Sequence, residues 1–206
     1  LSAPQYQLAC PGNFAIEFFR HLDRWQHRWV VDIDGQIVPL LTSEEGDDSQ
    51  NWPPSPPLQE LDHLSVSAGP AIFGVGRGGV AHWSVSLLLE NPSGQGTHPE
   101  GDSPAATVVT EWACCWNATS ADPHQPQPRF QSSYQLATGV QGEQLSENLV
   151  QLTFLNESLM IQAFDAPPHQ SICHLEGDRL TVAAKRTAES TANVRWNYRI
   201  WLKPKK

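Results

Sequence analysis

Val194-Arg195-Trp196-Asn197-Tyr198-Arg199-Ile200-Trp201-Leu202 alternates residue by residue. Val194, Trp196, Tyr198, Ile200 and Leu202 fall on one face, and Arg195, Asn197, Arg199 and Trp201 on the other. Period two over nine residues is the pattern of a half-buried antiparallel strand. A helix would instead repeat its apolar positions every three to four residues.

The same alternation recurs upstream. Between Val80 and Glu90, one face carries Ala81, Trp83, Val85, Leu87 and Leu89. The other carries His82, Ser84, Ser86 and Leu88. Thr107 to Asn117 is apolar on both faces, which places it centrally in a sheet. Asp34-Gly35 separates Trp29–Ile33 from Gln36–Leu41, a strong hairpin signal. Asn156-Glu157 and Gly177-Asp178 read as two-residue turns. Phe14–Phe19, Phe130–Ala137, Leu149–Leu155, Leu159–Phe164, Ser171–Leu175 and Arg179–Ala184 are further strand candidates. Ala71–Phe73, Gly74–Gly79 and Val80–Glu90 read as strand, glycine turn, strand. Leu58 to Ser67 fits either a helical or an alternating pattern.

Punctuation between these runs is heavy. Trp52-Pro53-Pro54-Ser55-Pro56-Pro57 forbids helix and central strand, and predicts extended, polyproline-like backbone. Residues 91–104 and 120–128 are loop-like in composition. About a dozen short strands with no convincing long helix predict a mainly β chain: an antiparallel β-sandwich or flattened barrel with long Pro/Gly-rich loops and little helix. One domain over residues 1–206 accommodates it.

The totals restrict function. The formal net charge is −9, which argues against nucleic acid or an anionic membrane surface as partner. The basic residues Lys185-Arg186 and the tail Lys203, Lys205 and Lys206 are too short to reverse that and read as solvated. No apolar run reaches the roughly 18 residues of a membrane span. The chain begins at Leu1, so a cleaved leader stays open. Eight tryptophans suit a packed core, and also sugar and small-molecule sites. Cys10, Cys114, Cys115 and Cys173 show no disulfide framework and no metal spacing. Asn117-Ala118-Thr119 and Asn156-Glu157-Ser158 match the glycosylation triplet, which carries meaning only in a secretory context.

The candidate chemistry is sparse. Gly74-Val75-Gly76-Arg77-Gly78-Gly79 matches G-x-G-x-x-G, but a dinucleotide site needs a helix to follow, and a strand pattern follows instead. Arg77 is then a candidate anion holder. His82-Trp83-Ser84 is the most site-like stretch, because His82 and Ser84 share a strand face. Glu111 lies inside an apolar strand, beside Trp112. There an ionised carboxylate needs a partner, such as an arginine of the last strand, or else acts as an acid with a raised pKa. The expected ligand-binding set is Arg77, His82, Ser84, Glu111 and Trp112, with no metal and no cofactor. Cys114 and Cys115 point to opposite faces and read as small buried hydrophobes. His21 and His27, bracketing Asp23, read as surface histidines, and Glu44, Glu45, Asp47 and Asp48 as a solvated loop.

Asp23-Arg24-Trp25-Gln26-His27, Trp52–Gln59 with its Pro-rich string, and Gly74–Ser86 with His82-Trp83-Ser84 resemble a family of unknown activity from planctomycete bacteria. Ala113-Cys114 and Ser133-Tyr134 fit its downstream pattern, so the resemblance runs over roughly residues 20 to 136. It implies a bacterial protein, supplies no catalytic residues, and makes a cytoplasmic location the simplest expectation.

Three functions compete on the sequence alone. The first is a non-catalytic module that binds a small molecule or protein, with His82, Ser84 and a tryptophan converging on a pocket. The second is a hydrolase or lyase using His82 and Glu111 as acid and base. The third is a structural or assembly protein that offers the Pro-rich loop to an aromatic groove.

Overall fold

The structure is a computed structural model. It describes residues 3–46, 50, 52–79, 81–90, 106–116, 129–185 and 193–203. The expected loops over 91–104 and 120–128, the Asn117 triplet, Asp47, Asp48 and most of the basic tail lie outside the described residues.

Fifteen strands and no helix occur among the described residues. In chain order they are β1 (Tyr6–Cys10), β2 (Phe14–His21), β3 (Arg24–Ile33), β4 (Gln36–Ser43), β5 (Glu60–Val66), β6 (Gly69–Gly78), β7 (Ala81–Glu90) and β8 (Thr107–Trp116). Then come β9 (Gln131–Leu136), β10 (Gln141–Ser146), β11 (Leu149–Phe154), β12 (Glu157–Phe164), β13 (Ser171–Glu176), β14 (Arg179–Ala184) and β15 (Asn193–Leu202). They form two antiparallel sheets, not closed into a barrel. One has the order β1-β2-β3-β4-β9-β14-β13, the other β10-β11-β12-β15-β8-β7-β6-β5. The expected sandwich is therefore the architecture.

Local chemistry explains the turns. Asp34 and Gly35 both have positive φ, 52° and 83°, as the tight β3–β4 hairpin requires. At the β11–β12 hairpin Phe154 pairs with Glu157, so the turn residues are Leu155-Asn156, one position before the expected Asn156-Glu157. Gly177-Asp178 connects β13 and β14 as expected. The ambiguous stretch from Leu58 resolves into strand β5.

The inner faces meet in one core of aliphatic and indole side chains. β8 and β15 pair in register, Trp112 opposite Trp196, and the two rings stack at 6.0 Å with 6° between planes. Trp83 packs edge-on against Trp196 at 6.2 Å. Burial of such rings supplies much of the folding free energy, since removing one costs roughly 3–5 kcal/mol.

The Pro-rich segment is part of this core. Pro53, Ser55, Pro56, Pro57 and Leu58 are buried, and Trp52 packs edge-on against Trp83, Trp116 and Phe130. Ser55 Oγ donates to the Ser133 carbonyl at 2.9 Å and accepts from its N–H at 3.0 Å. Trp25 N–H donates to the Leu58 carbonyl, and Gln59 N–H to that of Val75. The segment thus ties the first sheet to the second, and its prolines are used internally. That leaves little of the loop for an outside aromatic groove.

The glycine string is not a turn. Gly74, Gly76 and Gly78 lie within β6, and the chain reverses after them, from Gly79 (φ 56°). A Cβ on Gly76 would stand 1.8 Å from the Pro57 carbonyl oxygen, and one on Gly78 2.8 Å from Pro57 Cγ. Glycine is required there because another backbone passes over the strand. The two most distinctive sequence strings, Pro-rich and Gly-rich, are therefore one structural contact.

Candidate functional site

Strand alternation turns the even-numbered residues of β7 outward. On the outer face of the eight-stranded sheet, His82 lies opposite Cys115, Ser84 opposite Ala113, and Ser86 opposite Glu111. Ser84, Ala113 and Cys115 are short, so the middle of the face is low. β6 raises one bank with Val75 and Arg77, and β15 raises the other with Arg195. A tight turn, Ala166–His169, closes one side. Its end residues exchange backbone hydrogen bonds of 3.0 and 2.8 Å. The result is a cleft of about 890 Å³, within the size range of small-molecule sites.

The turn is fastened over β15. Asn197 N–H donates to Ser171 Oγ at 2.9 Å, and Ser171 N–H to Asp165 Oδ1 at 3.0 Å. Asn197 is consequently only 1% exposed although it belongs to the outer face. The residue lines the cleft, and its Nδ2 is buried with no hydrogen-bond partner among the described residues.

Four of the five expected ligand-binding residues, Arg77, His82, Ser84 and Glu111, line this one cleft. Trp112 does not. It is 1% exposed on the inner face, stacked on Trp196 with its Nε1–H donating to Tyr198 Oη at 3.3 Å. Strand alternation forbids it from sharing Glu111's face. The indole on the cleft wall is Trp83, itself largely a core residue.

Glu111 also departs from expectation. It is exposed, and no ion pair holds it among the described residues, because the turn that covers Asn197 in the same row does not bury it. Its strand reads as apolar on both faces because the outward positions are Val109, Ala113 and Cys115. Nor does it meet His82. The β7–β8 register sets the two rows four residues apart, about 13 Å along the strands. No hydrogen bond joins them, so they form no acid/base dyad in direct contact.

Sequence reasoning missed Arg195, Asn193, Asn197 and His169 as cleft residues. The alternation of Val194–Leu202 places Arg195 and Asn197 on the polar face, but nothing local shows that β15 pairs with β8. Cys115 is the exposed member of the cysteine pair and faces the cleft, while Cys10, Cys114 and Cys173 are buried. Burial raises the thiol of Cys10 to about 12, and raises those of Cys114 and Cys173 as well.

A second polar group lies between the sheets. His27 is no surface residue: it is 2% exposed, its Nε2 is 3.0 Å from Tyr134 Oη, and its ring lies 6.0 Å from that of Trp112. His21, by contrast, is exposed. Tyr134 Oη in turn shares a hydrogen bond with Tyr198 Oη. Burial lowers His27 to about 3 and raises both tyrosines, so the network is neutral. Ser43 Oγ accepts the His27 N–H at 2.9 Å and donates to Glu45 Oε1 at 2.5 Å. Glu45 is no solvated loop residue. Burial raises it to about 7, against the lowering effects of the Ser43 hydrogen bond and the Arg24 charge. His27, Tyr134 and Tyr198 are buried between the sheets, Glu45 is half-buried at their margin, and none of the four lines the outer-face cleft; they order the core.

No helix among the described residues is long and apolar enough to cross a membrane, and no group of three or more metal-ligating side chains occurs among them. No protein-family model matches the chain, and no curated protein is similar to it.

Proposed function

We propose that this protein is a non-catalytic binding module that holds a small molecule in the outer-face cleft of its eight-stranded sheet. Asn197 carries the reading. A buried amide N–H without an acceptor costs roughly 1–3 kcal/mol, and such groups are rare in folded proteins. Asn197 holds one at the lining of a cleft of ligand size. A ligand oxygen supplies the acceptor that the fold does not.

The surrounding chemistry supports binding over catalysis. Donors and acceptors stand around a floor of short side chains, while the proposed acid and base, His82 and Glu111, stand two rows apart. The resemblance to the planctomycete family carries no activity and leaves this reading unchanged.

Thermal-shift measurement with sugars, nucleotides and organic acids tests it, because a ligand of the native state raises the midpoint. Ser84→Trp fills the floor from a half-exposed position and leaves the core untouched. Binding in the cleft predicts midpoint shifts in the natural protein that vanish in Ser84→Trp. Shifts that persist in the variant place the binding elsewhere and refute the assignment.

A further inference from the structure

Five of the eight arginines among the described residues are engaged. Arg20 donates to the Gln59 carbonyl, Arg24 pairs with Asp23, Arg28 with Glu17, Arg179 with Glu44, and Arg199 donates to Gln162. Arg77 and Arg195 are exposed, and neither guanidinium has an ion pair or hydrogen bond among the described residues. Both line the cleft. Arg129 is similarly unengaged but stands away from it.

Their placement is specific. Arg77 lies on β6 opposite His82, and Arg195 on β15 opposite Ala113. β7 and β8 run between, and Arg195 sits two residues further along, so the two arginines rise about 16 Å apart at the backbone. The floor between them is Ser84, Ala113 and Cys115. His82 and Asn193 share the Arg77 row and add donors. The carboxylates Glu60 and Glu111 lie off this line, Glu60 on edge strand β5 and Glu111 further along β8.

Resting on the cleft being the binding site, we infer that its ligand is a small organic acid with two carboxylates, one held by Arg77 and the other by Arg195. A guanidinium fork matches a carboxylate in geometry and charge. The low floor between them admits an uncharged middle. Glu60 and Glu111 repel a carboxylate displaced from either arginine and so fix the register of the acid.

Cys115 reports on occupancy. It is the exposed thiol of the four cysteines, on the cleft floor beside His82. The experiment alkylates the native chain with a neutral maleimide and follows Cys115 by mass spectrometry. Linear α,ω-dicarboxylates from succinate to sebacate are the probes, with the matching diamides and neutral disaccharides as comparators. Dicarboxylates of one favoured length slow Cys115 alkylation at least fivefold, and the diamides do not. Arg77→Gln and Arg195→Gln each raise the half-protecting concentration on the order of tenfold, and added salt raises it in the natural protein. Both variants change exposed side chains, and an unchanged thermal midpoint confirms that they fold. Protection by a diamide or a disaccharide that ignores both substitutions overturns the diacid inference and leaves the cleft as a binding site. Alkylation at the unprotected rate with every probe overturns both.

Discussion

Gly76→Ala tests the contact between the Pro-rich segment and β6, the strand that carries Val75 and Arg77 on one bank of the cleft. The new methyl would sit 1.8 Å from the Pro57 carbonyl oxygen and 2.7 Å from the Pro57 carbonyl carbon. Contact distances above about 3 Å are needed, so backbone must shift by more than about 1 Å; no rotamer change relieves it. That shift strains the bonds flanking Pro57: Trp25 N–H to the Leu58 carbonyl at 2.8 Å, Gln59 N–H to Val75 at 2.9 Å, and the Gln59 amide to both backbone groups of Arg77 at 2.6 and 3.0 Å. Losing two of these at about 1 kcal/mol each, with about 2 kcal/mol of overpacking, gives about 4 kcal/mol of destabilisation. Urea unfolding reads this as a midpoint about 2 M lower, at a slope of about 2 kcal/mol/M. Two other glycines calibrate the result. A Cβ on Gly139 (φ 88°) meets nothing within 4 Å, so Gly139→Ala costs only the left-handed strain of about 1 kcal/mol. A Cβ on Gly142 meets the flexible end of Leu175 at 2.6 Å, which can swing aside. A Gly76→Ala loss no larger than that of Gly139→Ala would refute the account of the glycine string as a close-approach device.

Tyr198→Phe removes the hydroxyl shared by Tyr134 and Trp112, leaving Trp112 Nε1 without its acceptor and Tyr134 Oη with His27 alone. It should cost about 2 kcal/mol in urea unfolding, and a neutral result contradicts the network. Glu17→Gln breaks a 2.8 Å pair whose arginine side chain is 14% exposed. Stranding Arg28 should cost about 3 kcal/mol, measured in the same way. The pH dependence of stability has two opposed parts. Glu45 keeps its proton to about 7 when folded but loses it near 4.5 when unfolded, so its contribution is full below 4.5 and is lost as pH rises through 7. His27, held neutral down to about 3, contributes fully above 6.5 and loses this as pH falls. Glu45→Gln should therefore be more stable than the natural chain at pH 8, by at most about 3 kcal/mol, with the gain vanishing towards pH 4. An equal gain at both pH values contradicts a half-buried Glu45 that keeps its proton towards neutral pH.

The parts of the fold that depend on neighbours in sequence were legible. Alternation in Ala81–Leu89 and Val194–Leu202 assigns each side chain its face, because a strand's period is two whatever it pairs with. Asp34-Gly35 announces its hairpin because few residues tolerate two successive positive φ values. The parts that depend on distant neighbours were not. The glycine string reads as a turn because glycine permits turns; only the approach of Pro57, some twenty residues earlier, explains it. Trp112 reads as a ligand-facing indole until β15 sets Trp196 against it. His27 looks like any polar-stretch histidine until Phe18, Tyr134 and Trp112 enclose it. At the cleft, Arg77, His82, Ser84 and Glu111 were identifiable as outward and polar. Arg195 and Asn197 joined them only through the pairing of β15 with β8, a long-range contact without a local signature.

The side-chain amide of Asn197 gives the most direct test of the cleft as the binding site. Its two N–H resonances can be assigned by comparing the natural chain with Asn197→Asp, then followed as the best thermal-shift ligand is titrated to saturation. The account predicts that both resonances move with the same saturation curve as the thermal midpoint, because the ligand supplies the acceptor that Nδ2 lacks. A ligand that raises the midpoint while leaving both resonances in place would contradict it.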